Sequence, residues 1–267
     1  MSEAPADESL CRVAEAYARR DWETCNQLLR DRFVQNPDDG RCLQWLGLVW
    51  HAQGAFAAAR RALESASLLV PLWVPAQVAL AEAYQRCGRR DDALTILRFL
   101  AERNDVPTNQ LPRISAALGK LGEYALALDV CREASLREVD DDEACFGMAY
   151  FMQKLGYPTE CVLPLLRRAL ALEPERPLYR LSVGVVCART GLLDEAYELL
   201  CGVDPSRVTC ASCLQTMARL FEQFGDATRH DAVLARALQM PRASAQGNAF
   251  EAAAVPRRPH RGESEAR

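Results

Sequence analysis

Gly54, Gly88 and Gly122 lie 34 residues apart, and so do Ala59, Ala93 and Ala127. A fixed period of that length marks a chain built from one supersecondary unit, repeated and stacked. Each unit buries its apolar face against the next. The glycine series continues through Gly156, Gly191 and Gly225, and its one irregular step, of 35 residues, falls between Gly156 and Gly191. No strand pattern interrupts it, so the expected architecture is a solenoid of helical hairpins.

One unit carries the pattern almost in full. Residues 40–73 read GRCLQWLGLVWHAQGAFAAARRALESASLLVPLW, with Leu43, Leu46, Gly47, Trp50, Gly54, Ala59, Leu63, Ala66 and Pro71 at the marked positions. This resembles the tetratricopeptide signature, with Leu43 in place of Trp and Trp50 in place of Tyr. Extending the frame gives seven units: 6–39, 40–73, 74–107, 108–141, 142–176, 177–210 and 211–242. The first is degenerate, with Arg20 where the turn glycine belongs. The resemblance implies an all-α, right-handed superhelical solenoid of about seven antiparallel hairpins over residues 6–242. Residues 1–5 and the basic tail at 243–267 are expected to be disordered.

The repeated residues have physical work to do. Two helices approach closely only where side chains are small. Gly47, Ala81 and Gly184 are therefore expected at the contact on first helices, and Ala59, Ala93, Ala127 and Ala196 on second helices. The turn glycines relieve a strained backbone where each first helix ends. Pro164 inside the fifth unit removes a backbone donor, so either a kink there or inconsequential drift is expected.

Composition narrows the function classes. The formal charge of −4 gives no bulk attraction to nucleic acid or membranes. The opening MSEAPADESL lacks the apolar stretch of a secretory leader, and no run approaches the ~18 apolar residues of a membrane helix. A cytoplasmic protein is therefore expected, with no membrane insertion. Its eleven cysteines are expected to be reduced thiols. Cys25, Cys131, Cys145, Cys161 and Cys187 stand where the repeat wants a small apolar residue. Only His51, His230 and His260 are present, too few to furnish a nucleophile–base pair or a histidine-rich metal site. No enzyme activity and no cofactor are expected.

Three candidate sites remain. The first is a groove. The resemblance implies that first helices line the concave side of the array and that a protein or peptide partner binds there. Leu178, Leu181 and Val185 recur at helical spacing on a helix apolar nearly all round, which predicts cover on both sides. Phe146 and Tyr150 join them from the neighbouring first helix, and Arg113, Lys154 and Arg189 stand at the rim with Lys120. Either this patch binds an extended or helical segment, or these residues are core. The tail, through Phe250 and Val255, is an alternative occupant. The family's carboxylate clamp is not matched: its positions carry Gln44, Leu48, Pro75, Ala79 and Asn109, and Arg113 alone fits.

The second candidate is Cys210-Ala-Ser-Cys213 with Cys201 and Cys187, a thiolate set for zinc or redox response that competes with an ordinary structural role. The third is the acidic run 138–143, which lacks calcium-loop spacing and is expected to cap a helix beginning near Asp142. In the tail, Arg257, Arg258, His260 and Arg261 either touch an acidic surface or are simply solvated.

Overall fold

The computed structural model describes residues 8–240, and all regular structure among them is helical. The expectations for residues 1–5 and 243–267, including Phe250, Val255, Arg257, Arg258, His260 and Arg261, lie outside the described residues. The chain divides into two compact units, Met1–Val130 and Cys131–Arg267. The first holds α1 (Glu8–Ala18), α2 (Trp22–Gln35), α3 (Gly40–Ala52), α4 (Phe56–Leu69), α5 (Val74–Arg86), α6 (Arg90–Ala101) and α7 (Leu111–Lys120). Helix α8 (Tyr124–Arg137) begins in the first unit and ends in the second. The second continues with α9 (Asp142–Lys154), α10 (Thr159–Leu172), α11 (Pro177–Arg189), α12 (Leu193–Cys201), α13 (Ala211–Gln223) and α14 (Ala227–Gln239).

Each odd-numbered helix is joined to the next by the same turn. The residue after the turn position donates its N–H five residues back, from Asp21, Ala55, Arg89, Glu123, Tyr157, Leu192 and Asp226, at 2.8–3.0 Å. This is the Schellman closure, which places one residue in the left-handed region. Six of those residues are Gly54, Gly88, Gly122, Gly156, Gly191 and Gly225, with φ between 68° and 84°. The seventh is Arg20, at φ 58°, so the first turn keeps its geometry without the residue that favours it.

Aspartates start several helices. Asp39 Oδ1 accepts from the N–H groups of Arg41 and Cys42, Asp141 Oδ1 from that of Ala144, and Asp226 Oδ1 from that of Arg229. The acidic run at 138–143 thus supplies the cap of α9, as its position predicts.

Inside the hairpins the small residues sit at the contacts. Ala59, Ala81, Ala93, Ala127 and Ala196 have no exposed surface. A Cβ on Gly47 would fall 2.6 Å from Leu63 Cδ2, and one on Gly184 would fall 2.6 Å from Leu200 Cγ. Helix α10 runs unbroken through Pro164. Pro164 is exposed, and the carbonyl it leaves without an intrahelical donor belongs to exposed Glu160, within reach of water. Of the five cysteines assigned to packing positions, Cys25, Cys131, Cys145 and Cys187 are buried, whereas Cys161 is exposed on the outer face of α10.

Candidate interaction site

In the first unit α1 packs on α3, α3 on α5, and α5 on α7. Side chains of consecutive first helices therefore form rows that run diagonally from helix to helix. One row is aromatic. Tyr17 meets Trp45 edge-on at 5.6 Å, and Trp45 meets Trp73 at 5.2 Å. Trp73 is fixed from behind, because Gln44 Oε1 accepts its backbone N–H at 3.1 Å. Gln44, Leu48 and Ala79, three of the clamp positions, are all buried and do not face a ligand.

The second row is ionic. His51 Nε2 lies 2.9 Å from Glu82 Oε2, and the Arg113 guanidinium binds the same carboxylate oxygen from the next helix. Arg113 also donates to Gln110 Oε1 at 3.3 Å. Burial alone would raise the Glu82 carboxyl. The His51 hydrogen bond and the Arg113 charge outweigh it and hold the pKa at about 2. Arg113, expected at the rim of a groove, is thus half-buried and committed within the first unit.

Each row leaves a trace in the sequence. Tyr17, Trp45 and Trp73 are 28 residues apart, and His51, Glu82 and Arg113 are 31 apart. These are diagonals of the 34-residue lattice, displaced toward the N-terminus on each successive helix. Comparison in register does not reveal them.

In the second unit the predicted patch separates into two groups. Phe146, Leu181 and Val185 are 5%, 7% and 5% exposed and belong to the core. Their burial corrects the expectation of an open apolar surface at these three positions. Helix α11 is packed against α10, α12 and α13, so neighbouring helices cover its apolar flanks. Phe146 stacks on Tyr179 at 4.8 Å. The Tyr179 hydroxyl donates to Asp142 Oδ2 at 2.6 Å, and Arg176 binds the same oxygen at 2.8 Å. Burial, and then the Asp142 carboxylate, push the Tyr179 pKa upward. The remaining residues keep accessible surface: Tyr150 and Leu178 are half-buried, while Lys154 and Arg189 are exposed. Lys154 Nζ stands 5.5 Å from the centre of the Tyr150 ring.

Solved structures carry the same architecture. The chain superposes on Pseudomonas aeruginosa pilF with TM-score 0.63 at 18% identity, covering 78% of this chain and 95% of that one. A tetratricopeptide repeat protein from Parabacteroides merdae gives TM-score 0.62 at 14% identity, covering 88% and 92%. The fold is the tetratricopeptide repeat. YrrB, described as a tetratricopeptide protein with an unusual peptide-binding site, gives TM-score 0.52 at 14% identity over 62% of this chain and 86% of its own. No family model matches the sequence, and no curated protein matches it.

The four cysteines proposed as zinc ligands are not assembled. Cys187 is buried in the hairpin core, Cys201 ends α12, and Cys210 and Cys213 open α13. Between Cys201 and Cys210 the chain is tied down by buried Val203 and Val208 and a short turn at Pro205–Arg207. Among the described residues, no group of three or more His, Cys, Asp or Glu is placed to hold a metal ion. The C-x-x-C pair has a different character. Cys210 is the N-cap of α13, and its Sγ lies 3.1 Å from Ser212 Oγ. A hydrogen bond from the Cys213 thiol outweighs burial and, with Ser212 and the backbone N–H groups of Ser212 and Cys213, brings the Cys210 pKa down to about 5. Cys213, which donates that hydrogen bond and is itself buried, holds its proton more firmly, and its pKa is pushed upward.

Proposed function

We propose that this chain is a non-enzymatic interaction scaffold that holds a segment of a partner protein on the face formed by its first helices. The observation that carries the reading is the pair of rows in the first unit. Rigid aromatic rings and a fixed ionic ladder are presented together by α1, α3, α5 and α7. Aromatic and arginine side chains held in place lose little freedom on binding and dominate interfaces of this kind. In the second unit Tyr150 and Lys154 of α9, and Leu178 and Arg189 of α11, keep accessible surface and are read in the same way. No described helix is long and apolar enough to cross a membrane.

The test places a photo-crosslinking phenylalanine at position 45, at position 150, or at position 68, which lies on α4 and is 87% exposed. A partner is expected from position 45 and not from position 68, and position 150 tests the second unit by itself. Trp45→Ala is expected to weaken that partner about tenfold or more, with circular dichroism unchanged. Capture through position 68 alone would reject the reading. A second reading, response to oxidants through Cys210 and Cys213, is favoured by the low Cys210 pKa and requires no metal.

A further inference from the structure

The first unit carries a recess that belongs to neither row. It lies between α2 and α4, with α3 as its floor, and has a volume of about 370 Å³. Leu43, Leu46 and Trp50 form the floor and Phe33 one wall. Phe33 is 37% exposed, so an apolar ring stands open to solvent beside the recess. The size suits one large apolar side chain or a short segment.

Its charge selects the occupant. Arg30 reaches the recess from α2 and Arg61 from α4. Several arginines of the unit are paired locally: Arg32 with Asp39, Arg89 with Glu64 and Asp92, Arg98 with Glu123, and Arg103 with Asp105. Arg12, Arg19, Arg20 and Arg41 form no ion pair with any described residue but do not line the recess. Arg30 and Arg61 form no ion pair or hydrogen bond with any described residue. Asn26 and Ser65, also lining the recess, are likewise uncommitted. Two guanidinium groups without internal partners, on facing helices above an apolar floor, repel basic segments and fit carboxylates.

We propose that this recess docks an acidic segment of a partner protein. One large apolar side chain enters between Phe33 and Trp50, and flanking carboxylates meet Arg30 and Arg61. Asn26 and Ser65 supply hydrogen bonds to the segment's backbone. The site uses α2, α4 and Leu43, Leu46 and Trp50 of α3, and none of the residues of the two rows, so it does not depend on those rows carrying a partner.

The experiment uses the intact chain and a fluorescein-labelled peptide of sequence EDEFLED, followed by fluorescence anisotropy. The comparison peptide is the isosteric QNQFLQN. Saturable binding of the acidic peptide is expected, at least about tenfold tighter than the neutral one and weakened by added salt. Arg30→Glu and Arg61→Glu should each weaken it about tenfold or more. Ser65→Trp, a surface substitution that plugs the recess while keeping both charges, should do the same, with circular dichroism confirming the fold of each variant. Absence of saturable binding up to about 1 mM overturns the proposal. So does binding that is indifferent to both the charge reversals and the plug. Concentration-dependent dimerisation abolished by Arg61→Glu in sedimentation velocity would assign the recess to a second copy of the chain and overturn the acidic-segment assignment.

Discussion

Replacing Gly47 by alanine tests whether the hairpin contact demands the absence of a side chain. By helix propensity alone, Gly47→Ala should stabilise α3 by about 1 kcal/mol. The packing says otherwise. The added Cβ would sit 2.6 Å from Leu63 Cδ2 and closer still to Leu63 Cγ, with Cδ1 at 3.2 Å. Leu63 has no exposed surface, and its Cγ is a branch point that cannot swing away as a chain end can. Overpacking of this kind costs about 1–3 kcal/mol, so the propensity gain is cancelled and the net effect is a loss of up to about 2 kcal/mol. The assay is urea unfolding followed by far-ultraviolet circular dichroism, with the shift in midpoint at constant slope as readout. A double-mutant cycle sharpens it. Leu63→Ala alone should cost about 2–5 kcal/mol, and less in the Gly47→Ala background, where the new methyl occupies part of the vacated space. A coupling of about 1 kcal/mol or more is expected. A Gly47→Ala protein stabilised by about 1 kcal/mol, as propensity alone gives, would refute the close-approach argument.

Two further outcomes follow from local geometry. Arg20 adopts the left-handed backbone conformation that glycine supplies in the six other turns, and its side chain is exposed. Arg20→Gly should therefore raise the urea midpoint by the equivalent of about 0.5–1 kcal/mol, and an unchanged or lower midpoint contradicts the strain. Cys210, with a pKa of about 5, is ionised above that value. Its alkylation by iodoacetamide, read site by site by mass spectrometry, should level off above about pH 6 in the folded chain and keep rising with pH in urea, where ordinary thiol behaviour returns. A folded-state rate that still climbs tenfold per unit near pH 8 would remove the basis for a special thiol.

The hairpin plan was legible because its determinants are local. Gly54 and its counterparts fix the turn through a closure spanning six residues, and the paired small residues Gly47 and Ala59 recur with the same period. The capping duty of Asp141 was legible for the same reason. The candidate site was much less so. Leu178, Leu181 and Val185 have the periodicity of an apolar stripe, yet a stripe on a helix says nothing about how many neighbours flank it, and Leu181 and Val185 are buried with Phe146 of α9. Cys161 matched a packing position by spacing and faces solvent. Cys187, Cys201, Cys210 and Cys213 look clustered along the chain, yet only Cys210 and Cys213 meet, and no three of the four are placed to hold a metal ion.

Sequence alone determined where this chain folds back on itself and which residues allow the two limbs of each hairpin to touch. Those outcomes depend on backbone preference and side-chain size within a few turns. Only the tertiary structure decided which flanks are covered, that His51, Glu82 and Arg113 share one carboxylate, and that Arg30 and Arg61 stand unneutralised over an apolar floor. Such juxtapositions arise from the rotation and offset between successive helices. That displacement comes from packing many side chains at once, and no single stretch of the chain encodes it.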